Sequence, residues 1–154
     1  MMSYPPITEL LPHRHPMLFL DEVCHFTSTT LTATCRICSD RWPEPGGMPA
    51  YTGIELIAQA IAAHNSLTAK IGDQSAGPSL GVLLGTRKYS SAVTHFGAEK
   101  SVTVSITEKM QDESGFGAFD GAILSDGDTL LASATIKVFR PSDFRTYLSE
   151  NRPK

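Results

Sequence analysis

The stretch Thr52 to Lys70, TGIELIAQAIAAHNSLTAK, followed by Ile71 and Gly72, constrains this chain most. Ile54, Leu56, Ile57, Ile61 and Leu67, with Ala58, Ala60, Ala62 and Ala63, leave a helix here no wide polar face. A helix that is apolar nearly all round is buried inside a domain. At about 19 residues it runs roughly 28 Å, the width of a small domain. Its polar groups make it a poor membrane span. Strand-like segments make up most of the rest, so the sequence predicts an α+β fold, an antiparallel sheet wrapped around one long central helix. Thr52 and Glu55 have capping-box spacing, and Gly72 suits the left-handed position after a helix C-terminus. Gly53 allows close approach at the helix start, where the amides and the dipole favour a polarised carbonyl oxygen.

With 154 residues the chain reads as one domain over 1–154, large enough for its own core. A net charge of −3 gives no basic field for nucleic acid. The opening MMSYPPITELL lacks a charged segment followed by an apolar run, so no secretory signal and a cytoplasmic location are expected. Cys24, Cys35 and Cys38 are then expected as reduced, buried thiols. Structural zinc wants paired ligand knuckles on turns, and a CxxC at a strand end puts its thiols on opposite faces, so no metal or cofactor is expected.

Residues 4–12 suggest a short helical turn between prolines, and Met17 to Val23 a strand. Thr27 to Ile37 alternates Leu31, Ala33, Cys35 and Ile37 against polar residues, the period of a half-buried strand. Residues 39–50, with three prolines and two glycines, read as a loop leading into the helix. Beyond the helix, strands are expected over Gly81–Tyr89, Ser101–Met110, Phe116–Leu124 and Leu130–Phe139, with a turn at Asp112–Gly115 and a hairpin at Ser125–Asp128. Ser142 caps an expected small C-terminal helix.

The run LLPHRHPMLFLDEV (Leu10 to Val23) closely resembles the opening of the 3-hydroxyacyl-[acyl carrier protein] dehydratases. The Pro/Gly loop, the glycine opening an Ala-rich helix and the final strands LGTRKY, SVTVSI, FGAFDGAIL and ASATIKVF also resemble that family, in order. MPAYTGIE followed by AQAIAA is similar to the dehydratase-like proteins of bacterial aryl-polyene gene clusters. The resemblance implies the hotdog fold and a dimer, either homodimer or heterodimer with another hotdog subunit, with sites at the interface. It also implies acyl carrier protein or coenzyme A thioesters as partners. Family dehydratases carry a histidine in the loop before the helix and an acid five places after the glycine. Here those positions fall near Glu44 and at Ala58.

The chemistry needs a base for the proton beside the carbonyl, an acid for the departing hydroxyl and donors for the enolate oxygen. The resemblance gives Gly53 the donor role, and close packing is the alternative. Glu55 and Gln59 are the nearest polar substitutes for the lost pair and share one helix face, continued by Ala62 and Ser66. A carboxylate buried there would have a raised pKa and could act as base or activate water. For Glu55 the competing role is the capping box, and for Gln59 a hydrogen bond across a dimer seam. His13 or His15 could stand in for the loop histidine, although His13 and Arg14 accompany a separate catalytic histidine in the family and so brace the fold or line the entrance. Tyr51 and Trp42 flank the helix start and are candidates for an acyl tunnel. Arg87 and Lys88, with Arg14, could meet an acidic carrier protein. His64, about 180° around the helix from Glu55, is expected to face the sheet or the surface. Three functions fit: a dehydratase-like lyase, a hotdog thioesterase using a helix carboxylate to activate water, and a non-catalytic partner of an active dehydratase.

Overall fold

A computed structural model describes residues 3–78, 81–97, 100–141 and 149–150. Its elements are helix α1 (Ile7–Leu10), strands β1 (Glu22–Phe26), β2 (Thr30–Arg36) and β3 (Met48–Pro49), and helix α2 (Gly53–Gly72). Strands β4 (Val82–Ser91), β5 (His95–Phe96), β6 (Ser101–Gln111), β7 (Phe116–Ser125) and β8 (Leu130–Phe139) follow. A six-stranded antiparallel sheet in the order β1-β2-β6-β7-β8-β4 carries α2 across one face, packed on β2, β6, β7 and β8.

The period-two pattern decides which strand face meets the helix. Leu31, Ala33 and Cys35 of β2, Val102, Val104 and Ile106 of β6, Phe119 and Ile123 of β7, and Ala132, Ala134 and Ile136 of β8 are all buried. Against them α2 buries Leu56, Ile57, Ile61 and Leu67, each stabilising the fold by about 1.5–3 kcal/mol. Gly121 sets how closely helix and sheet approach: a Cβ there would lie 2.9 Å from Cγ1 and Cδ1 of Ile57. In β4 the alternation is broken by irregularities between Leu83 and Gly85 and between Arg87 and Ser90.

Several local expectations are corrected. The strand expected from Met17 starts instead at Glu22. Within the expected loop, Met48–Pro49 pairs with His95–Phe96, and Ala50–Thr52 form a 3-10 turn that runs straight into α2. Thr52 therefore already has helical φ −69 and ψ −12, and its hydroxyl donates back to the Pro49 carbonyl at 2.6 Å, so no capping box forms. Gly72 is the last helical residue rather than a left-handed cap, and the chain leaves through extended Asp73. Cys35 is buried but Cys24 is exposed. The expected C-terminal helix lies, apart from residues 149–150, outside the described residues.

Candidate active site

The N-terminal segment before β1 has little regular structure because prolines interrupt it, yet it lies over an apolar helix. Backbone groups buried there need partners from elsewhere. The polar seam of α2 supplies them. Gln59, fully buried, accepts from the amides of Phe19 (3.0 Å) and Leu20 (3.4 Å) and donates to the Met17 carbonyl (2.8 Å). Ser66, also fully buried, donates to the Leu10 carbonyl at 2.6 Å. Gln59 thus bonds within its own chain rather than across a subunit seam, and both its donors and its acceptor are in use.

The second Gln59 donor reaches Glu55 Oε1 at 3.0 Å. The same oxygen lies 3.3 Å from His13 Nε2, with the two side chains 29% and 36% exposed. Glu55 is therefore half-exposed rather than buried, and it holds a histidine from the N-terminal strap instead of capping its helix. Arg14 fixes that strap: its guanidinium donates to the carbonyls of Leu11 (2.8 Å), His13 (2.7 Å) and Thr8 (3.1 Å). Nδ1 of His13 is buried without a hydrogen-bond partner among the described residues.

His13 and Glu55 stand at the wall of a cavity of about 360 Å³, within the usual range for small-molecule sites. Ala58, Ile61, Ala62 and Asn65 continue its helical wall, and Val82, Leu83, Val138 and Phe139 form the sheet side at the β4 edge. Ala58, where the family's acid would project, thus faces the cavity with a methyl group. Glu55 brings a carboxylate one turn earlier.

The other expected site residues are dispersed. The Gly53 amide donates to the Ala50 carbonyl, so the donor role expected for it meets an amide already engaged. Its missing side chain has a packing reason: a Cβ would lie 2.8 Å from Ile123 Cδ1 and collide with the Tyr89 hydroxyl, which itself donates to Ala50. Burial pushes the Tyr89 pKa up. Tyr51 is 75% exposed, and Trp42 packs edge-on against Phe19 with centroids 5.6 Å apart; neither lines the cavity. His15 is exposed and likewise outside the lining. Arg87 and Lys88 are exposed on β4, Lys88 with φ 55. His64 is buried between the rings of Phe26 and Phe119, with Nε2 3.1 Å from the Thr27 carbonyl, and desolvation lowers its pKa. Among the described residues no three His, Cys, Asp or Glu side chains gather to hold a metal, and no helix is long and apolar enough to cross a membrane.

A six-stranded antiparallel sheet curled over one long helix, with a cavity between the helix and the sheet edge, defines a hotdog-fold protein. Solved structures agree. The dehydratase heterocomplex ApeI:P from Xenorhabdus doucetiae aligns with a TM-score of 0.82 at 24% identity over 97% of this chain and 100% of that one. The E. coli PaaI protein from the phenylacetic acid degradation operon aligns at 0.59 and 13% identity, over 77% and 78%. A hypothetical thioesterase with coenzyme A from Streptococcus pneumoniae TIGR4 aligns at 0.58 and 14% identity, over 79% and 88%. No curated protein sequence matches the chain. The family is settled by sequence: residues 5–149 match the ApeP-like model, described as ApeP dehydratase, and the chain belongs to that family.

Proposed function

We propose that this protein is a dehydratase-like hotdog protein acting on 3-hydroxyacyl thioesters of acyl carrier protein or coenzyme A, in fatty-acid or aryl-polyene biosynthesis. One observation carries the reading: a histidine–carboxylate pair, His13 and Glu55, stands 3.3 Å apart at the wall of a largely apolar cavity. The ApeP-like membership supports it. In the elimination Glu55 takes the proton from the carbon beside the carbonyl, the bond to the 3-hydroxyl breaks, and that proton leaves with the hydroxide as water. His13 and Gln59 hold the carboxylate in place. With the Gly53 amide engaged, stabilisation of the enolate oxygen falls to the positive end of the α2 dipole, whose first turn borders the cavity. Arg87 and Lys88 remain the proposed contact for an acidic carrier protein.

A second reading, that the chain completes another subunit's site, is favoured by the open edge. β4, a ten-residue strand paired with β8 on one side, leaves its other edge open with Leu83 and Leu84 exposed, and Val82 and Leu83 also wall the cavity. Such an edge is a template for strand pairing, and a partner seated on it would close the cavity. The partner is then a second hotdog chain, the same or different.

The test is incubation with a 3-hydroxyacyl carrier-protein thioester, alone and with a second hotdog chain, followed by mass spectrometry of the products. Enoyl product that falls by about 100-fold or more in Glu55→Gln supports the first reading. Enoyl product that needs the second chain and survives Glu55→Gln selects the partner role. Free thiol in place of enoyl product, lost in Glu55→Gln, makes the protein a thioesterase.

A further inference from the structure

Asn65 is the polar group that neither the strap nor the His13–Glu55 pair accounts for. It is 7% exposed, lines the cavity, and its side-chain amide has no hydrogen-bond partner among the described residues. Leaving a buried amide unpaired costs about 1–3 kcal/mol, and buried polar side chains in folded proteins are nearly always satisfied. Every other fully or nearly buried polar side chain on α2 has a protein partner: Gln59 the strap backbone, His64 the Thr27 carbonyl, Ser66 the Leu10 carbonyl. The Asn65 amide is not sealed in, as Nδ1 of His13 and of His64 are. Its open side is the cavity.

The position gives the amide its meaning. Asn65 lies ten residues beyond Glu55 on one continuous helix, an axial separation of about 15 Å. Between them the helix presents Ala58, Ile61 and Ala62, facing Leu83 and Phe139. The helical wall of the cavity therefore has a polar group at each end and an apolar middle, while Arg140 adds a cation to the lining on the sheet side. A fatty chain ending in a methyl group would fill the middle and leave the amide dry and unpaired.

We infer that Asn65 is a specificity-determining residue that hydrogen-bonds a polar group at the far end of the acyl chain, so that the protein favours acyl groups carrying a terminal hydroxyl over plain alkyl ones. The inference rests on the acyl-thioester reading above and adds to it the chemistry of the distal end. The span corresponds to about ten to twelve chain atoms, given carbon–carbon bonds of about 1.5 Å in a zigzag.

The experiment measures binding, so that turnover does not enter. Two pantetheine amides are compared by titration calorimetry, one bearing a decanoyl group and the other a 10-hydroxydecanoyl group, with nitrogen replacing the thioester sulfur. Wild-type protein binds the hydroxyl-terminated probe about tenfold more tightly. In Asn65→Leu that advantage disappears, the decanoyl probe binds at least as well as to wild type, and the unliganded variant melts no lower than wild type because it has lost an unpaired amide. Equal binding of the two probes to wild type overturns the inference, needs no variant, and leaves the acyl-thioester reading standing. Binding of neither probe overturns both.

Discussion

Replacing Gln59 with leucine removes the side chain that ties the Met17–Leu20 part of the N-terminal strap to the central helix. Leucine fits the volume and is helix-compatible, so the change isolates the hydrogen bonds. It leaves the buried Phe19 amide, bonded at 3.0 Å, without a partner, and the Met17 carbonyl, bonded at 2.8 Å, able to recover only by turning to water. The Leu20 contact at 3.4 Å is too long to weigh heavily. An orphaned buried amide costs about 1–3 kcal/mol and a partly recoverable carbonyl about 1 kcal/mol, so the loss is about 2–4 kcal/mol. Against a total stability of about 5–15 kcal/mol that is severe. With a urea m-value of about 2 kcal/mol per molar, the unfolding midpoint falls by about 1–2 M. Gln59→Glu separates donor from acceptor. It keeps an oxygen for Phe19 but loses both donors and sets a second carboxylate beside Glu55, so it is destabilised at neutral pH and recovers as the solution is acidified. A Gln59→Leu midpoint within about 0.3 M of wild type would show that the strap is held by its apolar contacts and refute the hydrogen-bond reasoning.

Two further outcomes follow from the packing. Gly121→Ala drives a methyl into Ile57, colliding with its Cγ2 and lying 2.9 Å from its Cγ1 and Cδ1, and lowers stability by about 1–3 kcal/mol; Ile57→Val restores part of it, so a double-mutant cycle with no coupling would exclude direct contact. His64 is held neutral by burial, with its pKa below the ordinary 6.5, so below that pH the unfolded chain binds more protons than the folded one. Stability is then full above about pH 7 and declines as the pH falls through 6.5, and urea midpoints from pH 7.5 to 5.5 fall less steeply in His64→Leu than in wild type.

Local pattern was enough for the scaffold. Alternation in Thr30–Arg36, Ser101–Gln111 and Leu130–Phe139 and the all-round apolarity of Gly53–Gly72 depend only on neighbours a few positions apart, so strands, helix and buried faces are legible in the sequence. That Glu55 and Gln59 share one face of the helix was legible in the same way. Their partners were not, because a glutamate three places after a threonine looks like a capping box whatever lies across from it. Whether Glu55 faces a backbone amide or His13, forty-two positions earlier in the chain, is decided by a strap whose path no local period encodes. Likewise the two-residue ribbon Met48–Pro49 with His95–Phe96 joins segments too short and too distant to announce each other. Composition and periodicity determine what must be buried; only the folded chain determines which polar groups meet once burial has brought them within reach, and that meeting makes the site.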